Sequence, residues 1–145
     1  SADVWSATSY TLLRRDALAC ERWNLLNSDE PPRVPYVTQV LQDDPCPVVA
    51  TSDYMKSVPD MIARWVPAGL HPLGADGFGR SEARAELRDY FEIDARYVTL
   101  AALQQLAKRA QFDPAQLQDA ARSLDIDRQK LDPVAIPKPR TLDEE

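Results

Sequence analysis

Residues 47–75 read PVVATSDYMKSVPDMIARWVPAGLHPLGA. This stretch decides the fold, because two short apolar runs flank one amphipathic segment. Pro47–Ser52 (PVVATS) is brief, apolar and bounded by prolines and an aspartate, which fits a buried strand of a parallel sheet. Val58, Met61, Ile62, Trp65 and Val66 then recur at i, i+3, i+4, i+7 and i+8, one face of a helix. Ser57 and Asp60 have the spacing of a capping box, Pro59 sits in the first turn, and Pro67 and Gly69 stop the segment. His71–Ala75 predicts a further strand. Strand, helix, strand is the repeating unit of a parallel α/β layer.

Working outward, Val4–Ala7 is a short strand candidate. Ser9–Leu26 carries Leu12, Leu13, Ala17, Cys20, Trp23 and Leu26 at helical spacing. Asn27–Pro35 is a loop, since Pro31, Pro32 and Pro35 oppose helix, and Tyr36–Leu41 predicts a short helix. Toward the C-terminus, Ser81–Phe91 predicts a helix capped by Ser81, with Ala83, Leu87, Tyr90 and Phe91 as its buried stripe. Helices over Ala95–Ala110 and Phe112–Asp125 follow, the second opened by Asp113 as N-cap, Pro114 at N1 and Gln116 at N3. The expected fold is α/β, a mostly parallel sheet flanked by helices with an added helical pair at the C-terminus. Its domain is expected to span residues 1–131, with 132–145 (DPVAIPKPRTLDEE) as a loose, proline-rich tail.

Composition excludes some functions. The chain has 145 residues, 44% apolar and 28% charged, enough for one hydrophobic core. Its net charge of −6, from 23 acidic and 17 basic side chains, argues against nucleic acid or an anionic membrane as partner. No apolar run approaches a membrane span. Cys20 and Cys46 form no CxxC and read as reduced packing thiols of a cytoplasmic protein. The single histidine, His71, rules out a metal site built on two imidazoles and, beside Pro72, reads as a strand-entry residue. Asp43, Asp44 and Asp53 flank the first buried strand and read as solvated turn residues rather than Mg²⁺ ligands.

The most pointed motif is HPLGADGFGRSE, residues 71–82. A dinucleotide fingerprint needs G-x-G-x-x-G, but Gly77 and Gly79 are followed by Glu82, whose carboxylate would repel a pyrophosphate. No GK[ST] follows either. Asp76, Gly77, Phe78, Gly79, Arg80 and Ser81 therefore read as a strand-to-helix turn, with the glycines supplying unusual backbone angles. Arg80 is placed to meet a carboxylate from a neighbouring domain or subunit. Residue chemistry alone assembles no catalytic constellation.

Longer segments add a resemblance. VWSATSYTLLRRDALACERWNLLN (4–27), PRVPYVTQVL (32–41), PVVATSDYMKSV (47–58), LGADGFGRSEARAELRDYFEIDARYV (73–98) and AALQQLAKRAQFD (101–113) resemble the C-terminal domain of the homodimeric, acetyl-transferring pyruvate dehydrogenases. CERWNLL, TSDYMK and DGFGRS are its most specific matches, and the likeness covers residues 3–133. It implies a transketolase-C-terminal-type fold whose first strand and helix are expected to be missing here. It also implies an enzyme that decarboxylates pyruvate on thiamine diphosphate with Mg²⁺ and reductively acetylates the lipoyl group of the dihydrolipoamide acetyltransferase component. The implied partners are the rest of the same chain, a second copy in a homodimer, and that acetyltransferase.

The family's diphosphate motif, GDG followed by NN, has no counterpart. The only DG is Asp76-Gly77, preceded by Ala75, and no NN occurs. No catalytic, cofactor or metal residue is therefore carried over, and this stretch is expected to be scaffold that binds no cofactor itself. The alternative is a separately encoded, non-enzymatic interaction module with the same fold. An uncovered sheet edge and apolar face predict that the isolated chain self-associates or is marginally folded.

Overall fold

The computed structural model describes residues 2–43 and 46–135. Helix α1 (Tyr10–Leu26) starts where Ser9 turns extended and its hydroxyl accepts the Leu12 amide at 3.2 Å. Helix α2 (Tyr36–Leu41) follows the proline loop, and the Tyr36 amide donates to Asp16 at 2.7 Å, which ties α2 to α1. Strand β1 (Val48–Thr51) lies parallel to β2 (Leu70–Leu73), with Val48 opposite Leu70 and Thr51 opposite Leu73. Between them run a single helical turn, α3 (Ser57–Asp60), and a 3₁₀ turn, Ala63–Trp65. Helices α4 (Arg84–Tyr90), α5 (Ala95–Lys108) and α6 (Leu117–Ser123) complete the chain, α6 preceded by a 3₁₀ turn at Pro114–Gln116. α5 packs on both strands and on α6.

The α/β class and the parallel order stand, with four corrections. Among the described residues the sheet has two strands. Val4–Ala7 is not one of them: a strand needs a neighbour for its peptide groups, and here Val4 is 96% exposed. The segment at 57–66 is not a continuous helix. Ile62 leaves helical geometry (φ −112°, ψ −1°), and amides from Met61 onward bond three residues back, Ile62 to Pro59 at 3.2 Å and Trp65 to Ile62 at 3.0 Å. No Ser57–Asp60 capping box forms, because Lys56 already has helical angles and no side chain caps the turn. The apolar face survives all the same: Ile62, Trp65 and Val66 are buried beside Ala17 and Val37. Third, α4 begins at Arg84 rather than Ser81, because Ala83 is still extended (ψ 158°); of the expected buried stripe Ala83 is exposed and Leu87, Tyr90 and Phe91 are only half-buried. Fourth, Cys46 is exposed rather than packed, while Cys20 is half-buried with its thiol pushed up by burial and by Asp16, against the pull of Arg33.

Of the other expectations, Leu12 and Leu26 of the α1 pattern are exposed, at 52% and 62%, and the helix predicted over 112–125 is a 3₁₀ turn followed by α6, but several local readings hold. Asp113 accepts the Ala115 amide at 2.9 Å ahead of Pro114. His71 lies within β2, where burial first, then Lys108 and Lys56, hold its pKa below the usual imidazole range despite Asp60. Asp43 and Asp53 are exposed; Asp44 lies outside the described residues, as does the tail from residue 136 onward.

Candidate functional site

The turn Asp76–Ser81 leaves the carboxyl end of β2, and its approach is tightly built. Gly74 is buried where the 54–56 loop crosses β2: a side-chain carbon added there would lie 2.5 Å from the Tyr54 carbonyl oxygen and 2.7 Å from the Lys56 nitrogen. The Ala75 amide donates to that Tyr54 carbonyl at 2.9 Å, and the Lys56 amide donates to the Asp76 carboxylate at 3.0 Å. Asp76 therefore serves the fold, clamping two strand ends together. Gly77 adopts φ +100°, and a side chain there would meet the Pro133 carbonyl oxygen at 2.7 Å, so glycine is required on both counts. Gly79 has neither restriction, with no atom within 4 Å of where its side chain would begin.

Beyond the glycines the turn opens outward. Phe78 is 88% exposed. Arg80 does not reach out: its guanidinium lies 4.3 Å from the centre of the Tyr90 ring and 3.5 Å from the Glu82 carboxylate. Ser81 is exposed and caps nothing. A shallow cleft beside the turn is lined by Arg80, Glu82, Glu86, Asp89, Tyr90 and Lys130. Phe78 has company. Tyr54, Met55, Leu131 and Val134 are also exposed, and the hydrogen bonds and contacts of Gly74 and Gly77 bring their three segments together.

A charged network that sequence reasoning missed lies next to the cleft. The Arg96 side chain pairs with Asp89 and with Asp94 (2.7 Å) and donates to the Asp125 carbonyl at 3.2 Å, while Lys130 reaches the Asp89 carbonyl and the Tyr97 hydroxyl (3.2 Å). Asp94 is the N-cap of α5, accepting from the Arg96 and Tyr97 amides. Burial raises its pKa, but hydrogen bonds from Arg96 and from the Tyr97 and Arg96 amides outweigh that and hold the carboxyl below the usual range. Glu92 has the left-handed angle φ +61°, and burial pushes its carboxyl up against the opposing pull of Lys130 and Lys56. Asp94 was legible as a cap from IDARYV (93–98); the bonds that Lys130 and the Asp125 carbonyl bring to the network were not.

Thiamine diphosphate with Mg²⁺, which the resemblance implies for the whole enzyme, does not fit the residues present. The space at Gly77 faces a carbonyl oxygen, which repels phosphate, and Glu82 and Glu86 border the adjoining cleft. Among the described residues no group of three or more His, Cys, Asp or Glu side chains is placed to hold a metal. No reaction step is assigned to residues of this chain.

The parallel α/β unit agrees with the sequence comparisons. Residues 1–94 match the transketolase-like C-terminal domain, and the chain belongs to that family. It is 49% identical over 133 residues to the "Pyruvate dehydrogenase E1 component" of Escherichia coli K12, covering 91% of this chain and 15% of that protein. It is 45% identical over 134 residues to the protein of the same name from Pseudomonas aeruginosa (92% and 15%), and 45% identical over 127 residues to that from Mycobacterium tuberculosis (88% and 14%). The chain thus spans about 15% of the length of the relatives it matches. Among the described residues no helix is long and apolar enough to cross a membrane.

Proposed function

We propose that this chain is the C-terminal part of an acetyl-transferring pyruvate dehydrogenase. That enzyme is a cytoplasmic homodimer that decarboxylates pyruvate on thiamine diphosphate with Mg²⁺ and passes the acetyl group to the lipoyl group of the dihydrolipoamide acetyltransferase component, toward acetyl-CoA. The observation that carries the reading is identity of 49% running through 91% of the chain, since fold likeness alone would not carry an activity. Within the enzyme this part is a scaffold: the chemistry belongs to the cofactor, and the cofactor's ligands belong to preceding polypeptide. The domain spans residues 1–131, and the tail 132–145 begins with bonds of its own, Ala135 amide to Asp132 carbonyl at 2.8 Å. Asp76, Gly77, Phe78, Gly79, Arg80 and Ser81 form a turn at a domain or subunit boundary. Phe78 is its outward anchor, and Asp76 and Gly77 set its shape.

Two measurements test this. Calorimetric titration of the chain with thiamine diphosphate and Mg²⁺ is expected to give no binding heat; Mg²⁺-dependent micromolar binding would overturn the scaffold role. The genomic reading frame upstream of Ser1 is expected to run on and encode GDG followed by NN. A start codon at Ser1 would replace the proposal with a separately encoded interaction module.

A further inference from the structure

Helix α1 has two faces of different chemistry. Leu13 and Ala17 turn inward, onto the buried cluster. On the outer side Leu12, Arg15, Ala19, Arg22 and Leu26 are all exposed. Their spacing alternates three and four residues, which is the spacing of a helix–helix seam. At 3.6 residues per turn the five fall within an arc of about 80°, in a row about 21 Å long. They form one continuous face rather than a scatter of exposed side chains.

The charge on this face has one sign. Both carboxylates of α1 are engaged elsewhere. Asp16 accepts the Tyr36 amide at 2.7 Å, and Glu21 holds Arg64 and the Trp65 indole N–H (2.8 Å). Asp16 therefore lies toward α2 and Glu21 toward the 63–65 turn, both off the seam. The side chains of Arg15 and Arg22 have no ion pair, hydrogen bond or ring contact among the described residues. Apolar side chains thus alternate with two unpaired cations, in a chain whose net charge is −6.

That pattern selects its occupant. A purely apolar partner would strip water from two guanidiniums and give nothing back. A second copy of α1 fails too, because the row is nearly symmetrical about Ala19: packed in either direction, two copies set arginine against arginine. An anionic membrane would have to approach a body of the same sign. An acidic helix meets each guanidinium with a carboxylate, the pairing its planar fork favours. Permanent contacts within an obligate assembly are more apolar than this row, so the occupant is a separate polypeptide that binds and leaves.

We propose that the outer face of α1 docks an acidic amphipathic helix of a separate protein. Its apolar side chains lie against Leu12, Ala19 and Leu26, and two carboxylates one heptad apart pair with Arg15 and Arg22. This contact is additional to the scaffold role and does not depend on it.

Two synthetic three-heptad peptides test it. One alternates leucine and glutamate along a three–four seam; its twin has lysine in place of glutamate. Like charges facing one another keep each from pairing with itself. Fluorescence anisotropy should show the chain binding the glutamate peptide at least about tenfold more tightly than the lysine twin, with the difference shrinking in high salt. The double variant Arg15→Glu, Arg22→Glu should invert the preference, and Leu26→Gln should weaken glutamate-peptide binding about tenfold. Should a variant melt early, the two peptides on the unsubstituted chain decide alone. Equal affinity for both peptides would overturn the proposal, as would a preference that the double variant leaves unchanged. Co-flotation of the chain with phosphatidylserine vesicles, lost in the double variant, would overturn it in favour of a lipid surface. In the full-length enzyme Ala19→Cys should take up more maleimide than the unsubstituted enzyme, and the glutamate peptide should block the excess. No excess without peptide would overturn the proposal, since the enzyme's own polypeptide or a second copy would then cover the seam. That last arm alone uses the reading of the chain as part of a longer enzyme, and cofactor titration tests that reading separately.

Discussion

The two halves of the molecule are held together by different forces. In the first, Ala17, Val37, Ile62, Trp65 and Val66 form one buried cluster, with Tyr10, Leu13, Leu18, Leu41, Val48 and Leu70 packed around it. In the second, from Arg84 to Leu131, the buried apolar side chains are small, Ala101 and Ala121. Half-buried apolar side chains such as Leu103, Leu106, Leu117 and Leu124 line its helices, and the network of Arg96, Asp89, Asp94 and Lys130 adds charged links between its segments. Apolar burial is insensitive to salt, while half-exposed ion pairs are screened by it. The C-terminal half is therefore the more responsive to pH and ionic strength.

Substitutions can break this contrast. Trp65→Ala removes the centre of the cluster together with the indole N–H bond to Glu21 (2.8 Å); urea unfolding should show a loss of about 3–5 kcal/mol that salt does not change. Gly74→Ala drives a methyl group into the Tyr54 carbonyl, 2.5 Å away, and should cost about 1–3 kcal/mol by the same measurement. In the other half, Asp94→Ala removes the α5 cap and a partner of Arg96, and should cost about 1 kcal/mol at low salt. That loss should shrink in high salt, and Asp94→Asn, which still caps, should recover part of it. A salt-independent loss at Asp94 equal to that at Trp65 would erase the distinction between the halves.

The smallest effects are in pH. The Asp94 carboxyl is held down in the fold, so its contribution is present above the unfolded pKa of about 3.9 and is lost as pH falls through the lower folded value. Glu92 works in the opposite direction: its carboxyl is held up, so stability declines as pH rises from the unfolded value through the folded one. Glu92→Gln should flatten that decline in thermal melts across the acid range. His71 is held low, so the unfolded chain binds a proton first and stability falls as pH drops below about 6.5. His71→Gln should remove that fall.

The contrast between the halves also explains what could be read in advance. The face formed by Ile62, Trp65 and Val66 was legible from spacing, because burial follows hydrophobicity whatever the exact helix type. That the backbone under it breaks at Ile62 was not legible, since the break belongs to local hydrogen bonding that spacing does not report. The turn at 76–81 was legible as a turn from its glycines, yet Arg80 was expected to face outward and instead lies on Tyr90. Of the Arg96 network only the Asp94 cap was legible, because Lys130 and the Asp125 carbonyl join it from sites dozens of residues away.

By itself the amino-acid sequence determined the α/β class, the parallel order of β1 and β2, most helix positions and the family, because periodicity, caps and proline positions act within a few residues of one another. Tertiary structure alone decided that Val4–Ala7 stays unpaired among the described residues and that Gly77 must be glycine because Pro133 crosses it. Each of these depends on which distant peptide group comes to lie alongside, and in a folded chain that is settled by packing rather than by neighbours in sequence.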